Sequence, residues 1–261
     1  MQWERLTYLQ YISRSAERGR QQVNLPKPCN LLIIDTETSG LDPAVDRVVE
    51  LAAILYSVEH QTILYQMSSI CESQTNDAER INRIPVGALQ EAMPALEAHS
   101  IALFTAMAKE AHYAVAHNAD FDKQWFIGAA GSALVNSETQ QPLRWLRTMS
   151  DFNWPQQNKP GDSLVNLALA HGIGVSSAHR ALADCQLIAA LSDRVSKEEL
   201  IAMLSAALVP RYLYKANVSF NEKDLAKDAG FKWQPEKKQW VRKLTEVQAA
   251  SLDFPVVLVS V

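Results

Sequence analysis

Three cysteines in 261 residues, Cys29, Cys71 and Cys185, are odd in number and far apart. That argues against a disulfide framework or a zinc site, and it fits a reducing cytoplasm. No apolar run approaches the length of a membrane span. The opening Met1-Gln2-Trp3-Glu4-Arg5 is charged and lacks the apolar core of a signal peptide, so a cytoplasmic protein with no membrane partner is expected. Positive charge is also short, with a formal net charge of -4. Residues 1–28 hold five Lys/Arg against two Asp/Glu, and residues 210–261 hold nine against six. The stretch between them carries 11 basic and 21 acidic residues, a balance of -10. An acidic body repels phosphate unless metal ions reverse the local field, while basic flanks supply part of a backbone attraction. At 48% hydrophobic and 21% charged, the composition is that of a globular protein, and the length suits one large domain with a small appendage.

Within the acidic body, Leu31-Leu32-Ile33-Ile34 runs directly into Asp35-Thr36-Glu37-Thr38-Ser39-Gly40-Leu41-Asp42. A short apolar run that ends in turn chemistry reads as a buried central strand. Asp35 and Glu37 lie two apart, so they point the same way at its carboxyl end. Paired carboxylates at the edge of an apolar sheet are costly unless a cation neutralises them, and hard divalent ions take such oxygen ligands. A turn with solvated acids is the alternative for these residues taken alone.

Residues 3–18 have helical spacing and read as a packing helix, followed by an extended Asn24-Leu25-Pro26-Lys27-Pro28 entry. Residues 47–56 and 61–70 read as two further strands, joined by short connections that imply antiparallel hairpins. Glu50 is an acid in an apolar run, placed either near the acidic pair or on an edge facing water. A helical stretch around 84–93, interrupted by Pro85 and Pro94, precedes a helix over 99–110. The strand at 113–116 then enters His117-Asn118-Ala119-Asp120-Phe121-Asp122 and a helix, again placing acids where open α/β sheets bind ligands. A strand is expected within 142–150, and helices over 164–171, up to about 195 and over 197–208. Ser163 caps the first of these helices and Gly172 stops it.

The order Asp-x-Glu after a strand, then His-Asn-Ala-x-Phe-Asp, then His179-x-x-x-x-Asp184 entering a helix resembles the three motifs of the DEDDh exonucleases. The resemblance covers roughly residues 29–195 and implies an α/β, RNase H-like mixed sheet flanked by helices. By position, Asp35 and Glu37 match the first motif, Asp122 the second, and His179 with Asp184 the third. Asp120 falls at a variable position, because the family's acid directly follows the Phe. On one regular helix His179 and Asp184 would stand about 140° apart. Their spacing therefore suits a loop His ahead of an Asp in the helix's early turns.

The resemblance further implies two divalent ions, Mg²⁺ or Mn²⁺. Asp35, Glu37 and Asp184 would hold one; Asp35 would share the other with Asp122. His179 would act as the proton acceptor, since histidine as a residue type titrates near neutrality. It also implies that Thr36, Thr38, Leu41, His117 and Asn118 surround the terminal nucleotide. The activity expected is 3′→5′ release of nucleoside 5′-monophosphates from nucleic acid with a free 3′ end. DNA is favoured, because the first motif lacks the Met-rich form typical of oligoribonucleases. The string His179-Arg180-Ala181-Leu182-x-Asp184-Cys185, with Arg147-Thr148-Met149, leans toward the exonuclease X group. No clamp-binding segment supports a polymerase partner. An exoribonuclease on the same fold, or a non-catalytic nucleic-acid-binding protein, is the alternative.

The expected organisation is an N-terminal helix and linker over 1–28, an exonuclease domain over 29–209 and a small α+β domain over 210–261. In the tail a strand over 212–218, a helix over 222–229 and an extended 231–233 are expected, with 237–241 pairing back. Gly230-Phe231-x-Trp233-x-Pro235-Glu236-Lys237-Lys238-x-Trp240 resembles a small bacterial domain of unknown function. Its tryptophans either stack bases or form the core of a domain too small to do without large aromatics; the core reading is favoured. Its lysines are candidates for nucleic-acid contact, Lys232, Lys237 and Lys238 first.

Overall fold

The computed structural model describes residues 24–126, 134–157 and 161–259. The helix expected over 3–18 lies outside the described residues. The chain divides into two compact units, Leu25–Ala207 and one that carries the tail from Leu208.

The first unit is built on five strands: β1 (Asn30–Thr38), β2 (Val48–Ser57), β3 (Thr62–Ile70), β4 (Tyr113–Ala116) and β5 (Arg144–Arg147). Their order is β3-β2-β1-β4-β5, which puts β1 in the middle. β1 runs antiparallel to β2, and β2 antiparallel to β3, whereas β4 and β5 run parallel to β1. Alternate residues of β1 serve opposite faces. Leu32 and Ile34 join a core with Met67, Phe104, Met107 and Ala108. The other face is covered by α6 (Ala181–Asp193), which packs across β1, β2 and β3. There the buried Cys185 thiol lies 3.8 Å from the Ile33 carbonyl and 3.7 Å from that of Ala52.

Between β3 and β4 stand α1 (Glu79–Asn82), α2 (Val86–Gln90) and α3 (Pro94–Glu110). α3 begins at Pro94 rather than at 99. The proline sits in the first turn, where its missing N–H costs nothing, so it starts the helix instead of breaking one. α4 (Ala119–Gln124) follows β4 directly. α5 (Leu164–Ala170) is capped by Ser163, whose hydroxyl accepts from the Asn166 amide, and α7 (Lys197–Ala207) closes the unit. Among the described residues no helix is long and apolar enough to cross a membrane.

The tail forms a second sheet from β6 (Tyr212–Ala216), β7 (Lys232–Gln234), β8 (Gln239–Leu244) and β9 (Val256–Leu258), ordered β7-β8-β6-β9. α8 (Lys223–Asp228) and α9 (Glu246–Ala250) complete it. β6 stops short of the expected 218, and β9 is an addition that pairs with β6. Ala216, Ala226, Phe231 and Leu244 make the core, with Trp240 packed against it. Trp233, on the edge strand β7, is 48% exposed and is not spent on that core.

Candidate active site

β1 and β4 are parallel, so their carboxyl ends open at the same edge of the sheet. β1 ends there with Asp35 and Glu37; α4 leaves β4 there and carries Asp122; the first turn of α6 brings Asp184. One carboxylate oxygen each from Asp35, Glu37 and Asp184 lie within 4.8 Å of one another. Asp122 is 3% exposed and turned toward β1, where its Oδ1 accepts from the Thr36 amide at 3.0 Å and the Thr36 hydroxyl at 2.9 Å. Asp120 points elsewhere, 73% exposed and paired with Arg147 at 2.8 Å.

Crowded carboxylates with little water resist ionisation. Burial, then the charges of Asp122, Asp184, Glu37 and Glu50, hold the Asp35 carboxyl well above the usual range. Burial and Asp184 push Glu37 up to about 8. Burial raises Asp122 to about 7 against the opposing Thr36 hydrogen bonds. Asp184 is also raised, by burial, with His179 pulling the other way. Asp184 Oδ1 is buried without a hydrogen-bond partner among the described residues. An all-oxygen donor set with an orphaned buried carboxylate oxygen fits a hard divalent cation.

Around the acids lies an open hollow of about 910 Å³, lined among others by Leu41, His117, Asn118, Phe121, Met149 and His179. His179 is exposed on the loop before α6, in left-handed backbone at φ 59°. His117 is tied at both ring nitrogens. Nε2 donates to the Asp162 carbonyl at 3.0 Å, which leaves Nδ1 to accept from the Thr148 hydroxyl at 2.9 Å. Burial lowers its basicity, which favours the neutral ring with Nδ1 as the acceptor. Thr38 is buried and its hydroxyl donates to the Gly40 carbonyl at 2.6 Å. Leu41 stands 80% exposed at the rim, and Asn118 is the exposed residue ahead of α4. The loop under Leu41 is tight: a Cβ on Gly40 would collide with the Asp46 carboxylate.

Of the two placements open for Glu50, near the acidic pair or on an edge facing water, the structure shows the first. Glu50 is 2% exposed in the inner strand β2, directly opposite Glu37, and it is ion-paired to Arg180. Arg180 was visible in the sequence only as part of the His179 motif. Its partner, 130 positions away, also accepts from the Ala181 amide at the start of α6.

The family profile for exonucleases matches residues 32–192, and a domain of unknown function (DUF8626) matches residues 212–259. No curated protein matches the chain. The structure of E. coli exonuclease I in complex with a dA16 oligonucleotide superposes with a TM-score of 0.53 at 20% identity, over 72% of this chain and 48% of that one. A product-bound exonuclease I gives 0.54 at 20% identity, over 89% and 63%. Exonuclease X in complex with 5′-overhanging duplex DNA gives 0.43 at 25% identity, over 66% and 98%. The chain spans about half the length of the exonuclease I chains it resembles, and that likeness is one of fold.

Proposed function

The chain belongs to the exonuclease family, and from that premise we propose that its first unit is a divalent-metal-dependent 3′→5′ exonuclease acting on DNA in the cytoplasm. The observation that carries the reading is the convergence of Asp35, Glu37 and Asp184, with an Asp184 oxygen that has no partner among the described residues. Asp35, Glu37 and Asp184 would hold one ion, and Asp35 with Asp122 a second, Mg²⁺ or Mn²⁺. When bound, such ions favour attack on the phosphodiester and offset charge on the leaving oxygen.

The chain's own residues do the rest. His179, exposed at the hollow, takes the proton from the attacking water on its imidazole. Water adds at phosphorus, the bond to the 3′ oxygen breaks and that oxygen takes a proton from solvent, so the products are a nucleoside 5′-monophosphate and a shortened strand with a free 3′-hydroxyl. Thr36 acts through Asp122, holding it with two hydrogen bonds. Leu41, Asn118 and His117 line the space for the terminal nucleotide, and the Thr38 hydroxyl stabilises the loop that presents Leu41.

DNA is favoured over RNA by the absence of a Met-rich first motif. The test is to incubate 5′-labelled single-stranded and duplex DNA and RNA of equal length, with and without EDTA, and identify the products. Stepwise shortening of DNA to 5′-monophosphates, stopped by EDTA and by Asp35→Ala, is expected. Preferential shortening of RNA would move the assignment to an exoribonuclease. Binding without hydrolysis under any metal would make the protein a nucleic-acid binder.

A further inference from the structure

The tail unit has a cleft of its own, about 580 Å³, at the end of β6 and across β7 and β8. Its walls carry three aromatic rings, Phe220, Trp233 and Trp240, and three lysines, Lys215, Lys223 and Lys238. Among the described residues no carboxylate lines it. Trp233 and Trp240 are register partners on adjacent strands, with ring centroids 5.5 Å apart. Trp240 leans on the core, whereas Trp233 is 48% exposed and Phe220 80% exposed. A fifty-residue domain has few large apolar groups to spare, and these two are turned outward.

The lysines are free of acidic partners: all three are exposed, and none has an ion-pair partner among the described residues. Lys223 places its ammonium 4.4 Å from the centre of the Phe220 ring. Of the two acids that flank Lys223, Glu222 is taken up by the Ser219 amide and hydroxyl at 3.0 and 2.7 Å, and Asp224 does not line the cleft. Lys238 sits in left-handed backbone at φ 45°, a place where glycine or asparagine is cheaper. A lysine there costs backbone strain and adds a cation to the wall.

We propose that this cleft binds single-stranded nucleic acid, with unstacked bases against Trp233 and Phe220 and phosphates at Lys215, Lys223 and Lys238. Exposed rings suit any base because every base has a π-face, and the unopposed ammonium groups match a phosphate backbone. A duplex keeps its bases stacked internally and cannot use the rings. The choice of nucleic acid as occupant rests in part on the exonuclease reading of the first unit. A binding measurement in EDTA separates the two, because it requires no hydrolysis.

The experiment uses the full chain in EDTA with fluorescent dT15, rU15 and a 15-base-pair duplex, each across a salt series. Three variants are compared with wild type: Phe220→Ala/Trp233→Ala; Lys215→Gln/Lys223→Gln/Lys238→Gln; and a charge-matched control, Lys227→Gln/Lys232→Gln/Lys237→Gln, whose lysines lie off the cleft. The aromatic variant should bind the single strands about thirty-fold more weakly or worse and the duplex as wild type does, following the usual worth of base stacking for two rings. The cleft-lysine variant should lower the salt slope by about 2, at about 0.7 per phosphate contact on single strands. The control should leave that slope unchanged. The dT15 and rU15 arms show which sugar the cleft accepts. Should the aromatic variant melt early, the lysine variant, changed only at exposed positions, decides alone. Wild-type affinity and slope in the cleft variants, or equal loss in the control, would overturn the proposal. Loss of exonuclease activity with cleft binding intact would bear on the first unit only.

Discussion

Arg180 grips Glu50 with two nitrogens, Nε at 2.9 Å and Nη2 at 3.1 Å, across the inner strand of the sheet. The same carboxylate accepts from the Ala181 amide at 3.1 Å and the Ser68 hydroxyl at 2.9 Å. Arg180 follows His179 and precedes α6, so this pair anchors the loop histidine on one side and the Asp184 turn on the other. It also sets an arginine's charge near Glu37, where it partly offsets the effect of burial.

Breaking that anchor should disturb the reaction more than binding. Glu50→Gln is expected to lower kcat about ten-fold or more with KM changed little, and to cost about 1–2 kcal/mol in stability, since the guanidinium is partly exposed while the carboxylate is not. Steady-state kinetics and chemical denaturation check this. A rise in KM at constant kcat would place Glu50 in substrate binding instead.

His179→Asn removes the proton acceptor, and asparagine tolerates left-handed backbone better than most residues. The rate should fall about 10²–10⁴-fold, with the melting temperature and metal affinity retained. Wild-type turnover in this variant would show that the proton leaves by another route.

The metal-free protein should lose stability as pH rises. Glu37 and Asp122 titrate near 8 and 7 in the fold, against ordinary values of 4.5 and 3.8. Below about pH 4 both states hold the protons and nothing is lost. From there to about 8 the unfolded chain ionises first, and folding becomes progressively less favourable. Melting curves in EDTA from pH 5 to 8 should fall, and added Mg²⁺ should restore more stability at pH 8 than at pH 5. A flat or rising EDTA series would contradict the crowded-carboxylate picture.

Gly40→Ala should move Leu41. The added methyl meets the Asp46 carboxylate, which already accepts from the Ser39 hydroxyl at 3.1 Å and the Asp42 amide at 2.9 Å. Reshaping that loop should raise KM for oligonucleotides about five-fold or more while metal binding is retained. Unchanged KM would separate Leu41 from the substrate.

Much of this arrangement is written locally. The apolar run into Asp35 and Glu37 announces a middle strand, while the resemblance to the exonuclease motifs singles out Asp122 over Asp120 and, with the spacing, suggests a loop ahead of Asp184. What is not local is harder to read. An acid within β2 signals nothing until Arg180 arrives from 130 positions away to neutralise it. Pro94 serves equally well as a helix breaker or a first-turn residue, and tertiary packing of Phe104 and Met107 makes the choice. Trp233 and Trp240 share one motif, yet β8 lies inside its sheet and β7 at its edge, so only Trp240 reaches the core. β9 is three residues long and gains its identity from β6.

Direct ion binding tests whether these gathered acids hold divalent cations. Mn²⁺ titration followed by electron paramagnetic resonance, on wild type and Asp35→Asn, reads occupancy without turnover. Two bound ions per wild-type chain and none or one weak ion in Asp35→Asn are expected. Equal binding by the two proteins would contradict the assignment of this site.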